Sequence, residues 1–351
     1  MNAGGAYNWI HRVWYEDGRF GWLLLPLSAL NWLILGVRKS LYDWGIFKTH
    51  KAAVPVIVVG NITAGGTGKT PTVLWLVEEL RRRGFKPGIV SRGYGGSQSG
   101  TSMRVEDGSD AAVVGDEPVL LARRGRCPVV VDPDRARAAA MLVDDEVDVI
   151  VADDGLQHYR LDRDYEICVI DGARGLGNRR LLPAGPLREA ARRLEDVEQV
   201  LVNGKLEGSE YDLTVAEQNA ISFDLVATEA CRLDGSLTRP LDRFADTTVH
   251  AVAAIGNPQR FFDLLRGHGI QVIEHAFPDH APLARRDLEF GDDFAVFMTE
   301  KDAVKLGRET KEKYWYVPVA LQMDAIDAAP LLEQIESRVR AAQLGDIRTD
   351  P

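Results

Sequence analysis

An α/β fold is predicted: a P-loop NTPase core with a mostly parallel sheet, a smaller second α/β domain and an N-terminal membrane-associating helical segment. Three observations predict it. The apolar run Val56-Ile-Val-Val breaks into Gly60-Asn-Ile-Thr-Ala-Gly-Gly-Thr-Gly-Lys-Thr70 and then into a helical pattern. Short apolar runs ending in polar loops recur at 88–91, 129–131, 149–152 and 167–170, as buried parallel strands require. Residues 20–37 carry no charge.

A length of 351 residues exceeds the usual single domain, so the chain divides on this reading into two domains and an appendage. The expected boundaries are N-terminal helices over 1–50, a phosphate-loop domain over 51–215, an antiparallel connector over 216–245, a second α/β domain over 246–330, and a C-terminal helix and tail over 331–351. With 42 basic and 52 acidic residues the balance argues against a nucleic-acid partner. Cys127, Cys168 and Cys231 are isolated, without metal-ligand spacing, and read as reduced thiols.

The uncharged run is nearly as long as the roughly 20 residues of a bilayer span, but Pro26, Ser28 and Asn31 interrupt it. It starts late and lacks a small-residue cleavage site, unlike a signal peptide. Trp9, Trp14, Trp22, Trp32 and Trp44 crowd this region, and Arg12, Arg19, Arg38 and Lys39 flank the run, a mixture that suits an interfacial anchor. Helices packed on the soluble core and a true span are the competing readings. Basic residues on both sides of the run give no orientation.

Residues Thr63, Ala64, Gly65, Gly66, Thr67, Gly68, Lys69 and Thr70 form the expected phosphate-binding loop. Glycines let successive N–H groups converge on phosphate oxygens, Lys69 supplies a positive charge, and Thr70 supplies a hydroxyl for Mg²⁺. Thr63 stands where the strict pattern has glycine, so the match is to the variant Gly-Gly-x-Gly-Lys-Thr form. Val73, Leu74, Leu76, Val77 and Leu80 then fall at helical spacing, ended by Arg81-Arg-Arg-Gly84.

Sites in open α/β sheets form at the carboxyl ends of strands. Arg92, in the loop Ser91-Arg-Gly-Tyr-Gly95, is there a candidate for an anionic substrate group, or a solvated loop arginine. Asp116 and Glu117 open a helix, where capping alone also explains carboxylates. Asp153 and Asp154 close the apolar strand Val149-Ile-Val-Ala and are the expected Mg²⁺ carboxylates opposite Thr70, with Gln157 and His158 beside them. Asp171, after Ile167-Cys-Val-Ile, competes for that role.

From 216 to 241 short alternating strands with a turn at Asp234-Gly235 suit a connector. Strands over 249–255, 271–275, 294–298 and 314–319, a helix over about 258–266 and a last helix over 331–342 follow. Thr299-Glu-Lys-Asp302 only superficially matches a guanine-reading motif, its lysine being displaced by one.

Taken together, these pieces resemble the tetraacyldisaccharide 4′-kinases, the lipid A 4′-kinases of Gram-negative bacteria. The resemblance covers most of the chain and rests on Val59-Gly-Asn-Ile-Thr-Ala-Gly-Gly-Thr-Gly-Lys-Thr-Pro71, Ser91-Arg-Gly-Tyr-Gly95, Gly115-Asp-Glu-Pro118, Asp153-Asp-Gly-Leu-Gln-His158 and Leu182-Pro-Ala-Gly-Pro-Leu-Arg-Glu189. Ile255-Gly-Asn-Pro258, Phe277-Pro-Asp-His280 and Thr299-Glu-Lys-Asp-Ala-Val-Lys305 extend it. It implies ATP- and Mg²⁺-dependent phosphorylation of the 4′-hydroxyl of a tetraacylated glucosamine disaccharide 1-phosphate, a lipid A precursor, at the cytoplasmic face of the inner membrane, with peripheral or monotopic attachment and no obligatory protein partner. It also implies that Asp116 with His280 is the catalytic pair, beside Lys69. Ala281 stands where family members often carry a second histidine.

A membrane-associated P-loop switch ATPase is the alternative of a different class. Such proteins usually carry a lysine just before the two glycines, where this chain has Ala64. A soluble cofactor kinase would leave the tryptophan-rich amino terminus unexplained.

Overall fold

The computed structural model describes residues 10, 12–16, 21–97, 100–205, 220–279, 281–306 and 312–347. Its strands in chain order are β1 (Val56–Gly60), β2 (Pro87–Ser91), β3 (Met103–Arg104), β4 (Val129–Val131), β5 (Val149–Asp153), β6 (Tyr165–Asp171), β7 (Gln199–Asn203) and β8 (Ala220–Val226). There follow β9 (Glu229–Arg232), β10 (Thr238–Pro240), β11 (Thr248–Ala253), β12 (Gln271–Ala276), β13 (Ala295–Thr299), β14 (Tyr314–Val317) and β15 (Ala320–Met323). They form two sheets, ordered β15-β8-β7-β6-β1-β5-β2-β4-β3 and β10-β9-β14-β13-β11-β12.

In the first sheet the strands from β8 to β4 pair in parallel, and the edge strands β15 and β3 are antiparallel. Every residue of β1, β5 and β6 is buried, because side chains cover both faces of the sheet. On one face, helix α2 (Lys69–Arg82, the second after α1 at Leu25–Asp43) sets Val73, Leu76, Val77 and Leu80 against Ile57 and Val59. On the other, Val56 and Val58 meet Ala138, Ala139 and Leu142 of the helix Arg135–Val143. The last helix, Ala325–Ile347, returns to the first face, where Leu331, Ile335 and Val339 join the α2 cluster.

The stretch read as an antiparallel connector divides between the sheets. β8 lies parallel to β7, while β9 and β10 form the antiparallel edge of the second sheet. The reason is Phe223, which is buried in the α2 cluster and ties β8 to the first sheet. Residues 216–219 lie outside the described residues.

Helix α1, extended by a 3₁₀ turn at Gly21–Leu24, is long and apolar enough to cross a membrane by length and composition, and little of it is buried. The polar residues that interrupt the run explain its placement. Ser28 Oγ donates to the Leu181 carbonyl (2.8 Å), Asn31 Nδ2 to the Leu182 carbonyl (2.9 Å), and Lys39 Nζ pairs with Asp196 (3.1 Å). Residues 28, 31, 35, 38, 39 and 42 fall on one side of a helix with 3.6 residues per turn, and that side docks on the first-sheet body. Leu23, Leu27, Leu30, Trp32, Leu33 and Ile34 are left exposed. Trp9, Arg19 and Phe20 lie outside the described residues.

Candidate active site

β1 delivers the chain to the glycine-rich loop, and α2 starts at Lys69 with Gly68 as its N-cap. Gly65 and Gly68 both hold φ at 105°, in the left-handed region. A Cβ on Gly68 would also stand 2.8 Å from Nδ2 of Asn203, so only glycine fits there. Side chains clamp the loop from outside. Asn203 Nδ2 donates to the Thr67 carbonyl (3.1 Å), Asn61 Nδ2 to the Gly65 carbonyl (3.3 Å), and the Ala64 N–H to the Pro186 carbonyl (2.8 Å). The unpaired N–H groups and dipole at the start of this 14-residue helix favour an anion.

The loop forms one wall of a cavity of about 1030 Å³. Ser91, Asp153, Asp171 and Asn203, the last residues of β2, β5, β6 and β7, line it as the strand-end rule requires. The opposite wall comes from the second sheet: Ile255-Gly256-Asn257 after β11, Asp279 after β12, and Thr299-Glu300-Lys301 at the end of β13. The walls touch closely, since a Cβ on Gly256 would lie 2.7 Å from the Gly66 nitrogen. Arg174 Nη2 donates to the Gly256 carbonyl (2.6 Å), and Arg260 Nη2 to the Asn203 carbonyl (3.0 Å).

Asp153 and Asp154 are adjacent in sequence and opposite in electrostatics. Burial pushes the Asp153 carboxyl up to about 7, reinforced by the charges of Glu117 and Asp154. Its Oδ2 accepts from Ser91 Oγ at 3.1 Å. For Asp154, burial works in the same direction but Lys69 and Arg188 outweigh it and hold the carboxyl below the usual carboxylate range. Arg188 Nη1 lies 3.1 and 3.0 Å from the two carboxylate oxygens, and Lys69 Nζ 3.6 Å from Oδ1. Asp154 has φ of 50°, and buried Arg135 braces that turn by donating to the carbonyls of Asp153 (3.0 Å) and Asp154 (2.7 Å).

Asp116 is buried at the start of the helix Asp116–Gly125. Two lysines of the helix Glu300–Leu306 join its surroundings to the second sheet. Lys305 Nζ is 3.7 Å from Asp116 Oδ2 and donates to Asp302 (2.8 Å) and to the Ala281 carbonyl (3.2 Å). Lys301 Nζ is 3.0 Å from Glu117 and 3.7 Å from Asp279. Burial opposes the charge on Lys301, but Glu117, Asp116 and Asp279 hold it protonated well above the ordinary lysine range. His280 lies outside the described residues, although its neighbours Asp279 and Ala281 make these contacts.

Of the other expected residues, Arg92, Gln157 and His158 line the cavity, whereas Thr63 and Asp116 are buried and do not. Arg92 is exposed. Gln157 Nε2 donates to the Asn61 carbonyl (3.0 Å), and burial, aided by Arg135, pushes His158 down to about 4, so its imidazole is neutral near pH 7. Asp171 lines the cavity too, with Arg260 Nη1 3.6 Å away. Arg135, Arg188, Arg260, Lys301 and Arg38 were not singled out from sequence as site residues. Arg188 and Lys301 stand inside motif blocks, Leu182–Glu189 and Thr299–Lys305, but only packing shows which carboxylate each meets.

Comparison with known proteins identifies the family. The sequence profile described as "Tetraacyldisaccharide-1-P 4'-kinase" (LpxK) matches residues 20–340. Tetraacyldisaccharide 4'-kinases of Nitrosococcus oceani and Hahella chejuensis are 46% and 44% identical, covering 94% of this chain in each case and 95% and 96% of the relatives. A crystal structure of LpxK from Aquifex aeolicus in complex with ATP superposes with a TM-score of 0.75 at 27% identity, over 91% of this chain and 99% of that one. With the profile and these full-length relatives in agreement, the chain belongs to the tetraacyldisaccharide-1-P 4′-kinase family.

Proposed function

We infer that the cavity transfers the γ-phosphoryl group of ATP to the 4′-hydroxyl of a tetraacylated glucosamine disaccharide 1-phosphate, a step of lipid A biosynthesis. One observation carries this reading. The phosphate loop on one wall and Glu117 with Lys301 across from it line one cavity, and Asp116, tied to Lys305, is buried next to Glu117. Phosphoryl transfer needs positioning and charge stabilisation more than covalent chemistry from the protein. Lys69 and the start of α2 hold the phosphates, Arg188 pairs with the Asp154 carboxylate, and Arg135 braces the turn that carries it through the Asp153 and Asp154 carbonyls. Asp116 with His280 takes the proton from the sugar hydroxyl. A switch ATPase would hydrolyse ATP without an acceptor. For this chain, ADP release measured in detergent micelles should depend on the disaccharide, and acceptor-independent turnover would favour the switch.

The donor set fits Mg²⁺. Thr70 offers a hydroxyl and Asp153 a carboxylate, both hard oxygen ligands, and buried Asp153 lies among the charges of Glu117 and Asp154 that a divalent cation offsets. We assign Thr70, Asp153 and Asp154 to hold it. Held there, Mg²⁺ would supply positive charge to offset that of the ATP phosphates. Asp153→Asn should raise the Mg²⁺ concentration for half-maximal rate by about tenfold or more. If neither this change nor Asp154→Asn alters the metal dependence, Asp171 takes the role.

We propose attachment to the cytoplasmic face of the inner membrane; the exposed apolar side of α1 supports the membrane contact. Deleting residues 1–45 would also strip the docked polar side from Leu181 and Leu182, so a cleaner test changes the exposed side alone. Trp32→Glu with Leu33→Glu should lower partitioning into lipid vesicles at least about tenfold while the far-ultraviolet circular dichroism stays unchanged. Unchanged partitioning would show that this side does not meet lipid. We also propose that the second domain spans β9 to β14, with β15 and the last helix belonging to the phosphate-loop domain.

A further inference from the structure

Among the arginines that line the cavity, most are already engaged. Arg188 pairs with Asp154, Arg124 with Glu300, Arg260 with Asp171, and Arg135 is spent on two carbonyls. Arg38 is different. It projects from the docked side of α1 into the same cavity and has no carboxylate partner among the described residues. Its Nη2 donates to the Gln157 carbonyl (3.2 Å) and its guanidinium lies 5.8 Å from the Tyr159 ring centroid, which fix the plane and leave other N–H groups for an anion. The neighbouring cation Lys39 is paired with Asp196. Arg92 also lacks a carboxylate partner among the described residues, but it belongs to the loop packed on the Asp116 side, where Gly93 approaches the Val114 carbonyl.

We propose that Arg38 determines acceptor specificity by receiving the acceptor's 1-phosphate. This rests on the acceptor assigned above. The reacting hydroxyl must reach Lys69 and Asp116, and the acyl chains must leave toward the exposed apolar side of α1. A phosphate at the other end of the disaccharide then falls where α1 borders the cavity, and a planar guanidinium meets it with two parallel hydrogen bonds. The same chemistry would suit a phospholipid headgroup or a nucleotide phosphate, so the experiment separates the three.

The full chain and its Arg38→Ala and Arg38→Lys variants are compared on the tetraacyl disaccharide 1-phosphate and on the same disaccharide with a free 1-hydroxyl. Arg38→Ala should raise KM for the phosphorylated acceptor about 10- to 100-fold, the range for hydrogen bonds to charged groups. KM for ATP, kcat and KM for the 1-hydroxyl acceptor should not move, and Arg38→Lys should recover part of the loss. An equal rise on both acceptors would overturn the proposal in favour of positioning through Gln157. A rise in KM for ATP would give Arg38 to the nucleotide. Weaker binding to phosphatidylglycerol vesicles without acceptor discrimination would give it to the membrane. If the parent chain phosphorylates neither acceptor, the kinase reading itself fails, an outcome distinct from all of these.

Discussion

Asp116→Ala, His280→Ala and the double variant should fall to similar residual kcat values, each about 10²- to 10⁴-fold below the parent, the span of positioned acid–base catalysis. A sugar hydroxyl is a poor nucleophile, and a carboxylate aids it only when held toward it. Asp116 is held: it is buried at a helix start, its Oδ1 accepts the Glu117 N–H at 2.9 Å, and Lys305 stands 3.7 Å from Oδ2. Lys305 also grips the Ala281 carbonyl, so the chain beside His280 and the Asp116 carboxylate share one ammonium. A histidine with an ordinary value near 6.5 can share the abstracted proton. Residues that act as one unit lose activity once, not twice. The measurement is kcat at saturating ATP and acceptor, with Mg²⁺-ATP binding followed separately. Fully multiplicative losses would refute the shared base, and lost nucleotide binding in Asp116→Ala would move that residue to the phosphates.

Lys69→Ala should fold and lose at least about 10²-fold in kcat, the low end for removing one preorganised charge-stabilising contact. Folding is expected to survive because Arg188 still neutralises Asp154 through both carboxylate oxygens. Lys69 itself is 12% exposed and faces the cavity, so little core is disturbed. Near-parental turnover at saturating ATP, with an unchanged thermal midpoint, would remove Lys69 from the chemistry.

The strands, the phosphate loop and the carboxylates at strand ends were legible because each obeys a local rule. Buried parallel strands read as unbroken apolar runs, and left-handed turns read as glycine. What was not legible depends on partners far apart in the chain. The pattern Ala220-Ile-Ser-Phe-Asp-Leu-Val announces a strand but not its sheet, which is decided by Phe223 against α2. Ser28 and Asn31 argued against a span, yet that they bind carbonyls some 150 residues away is a fact of packing. Asp153 and Asp154 are equivalent as letters and differ in the fold, because Arg188 and Lys69 form ion pairs with the second. Arg38 reads in the sequence merely as a flanking charge, since nothing local says that α1 borders the cavity.

This chain moves one phosphate from ATP to the 4′-hydroxyl of the lipid acceptor. That transfer is tested by incubating the full chain with Mg²⁺, ATP and tetraacyl disaccharide 1-phosphate, weighing the lipid by mass spectrometry and locating the new ester by phosphorus–proton correlation. The expected result is the mass gain of a single phosphate, dependent on ATP and placed at the 4′ position. ATP consumption with no gain on the lipid, or a gain at any other hydroxyl, would contradict it.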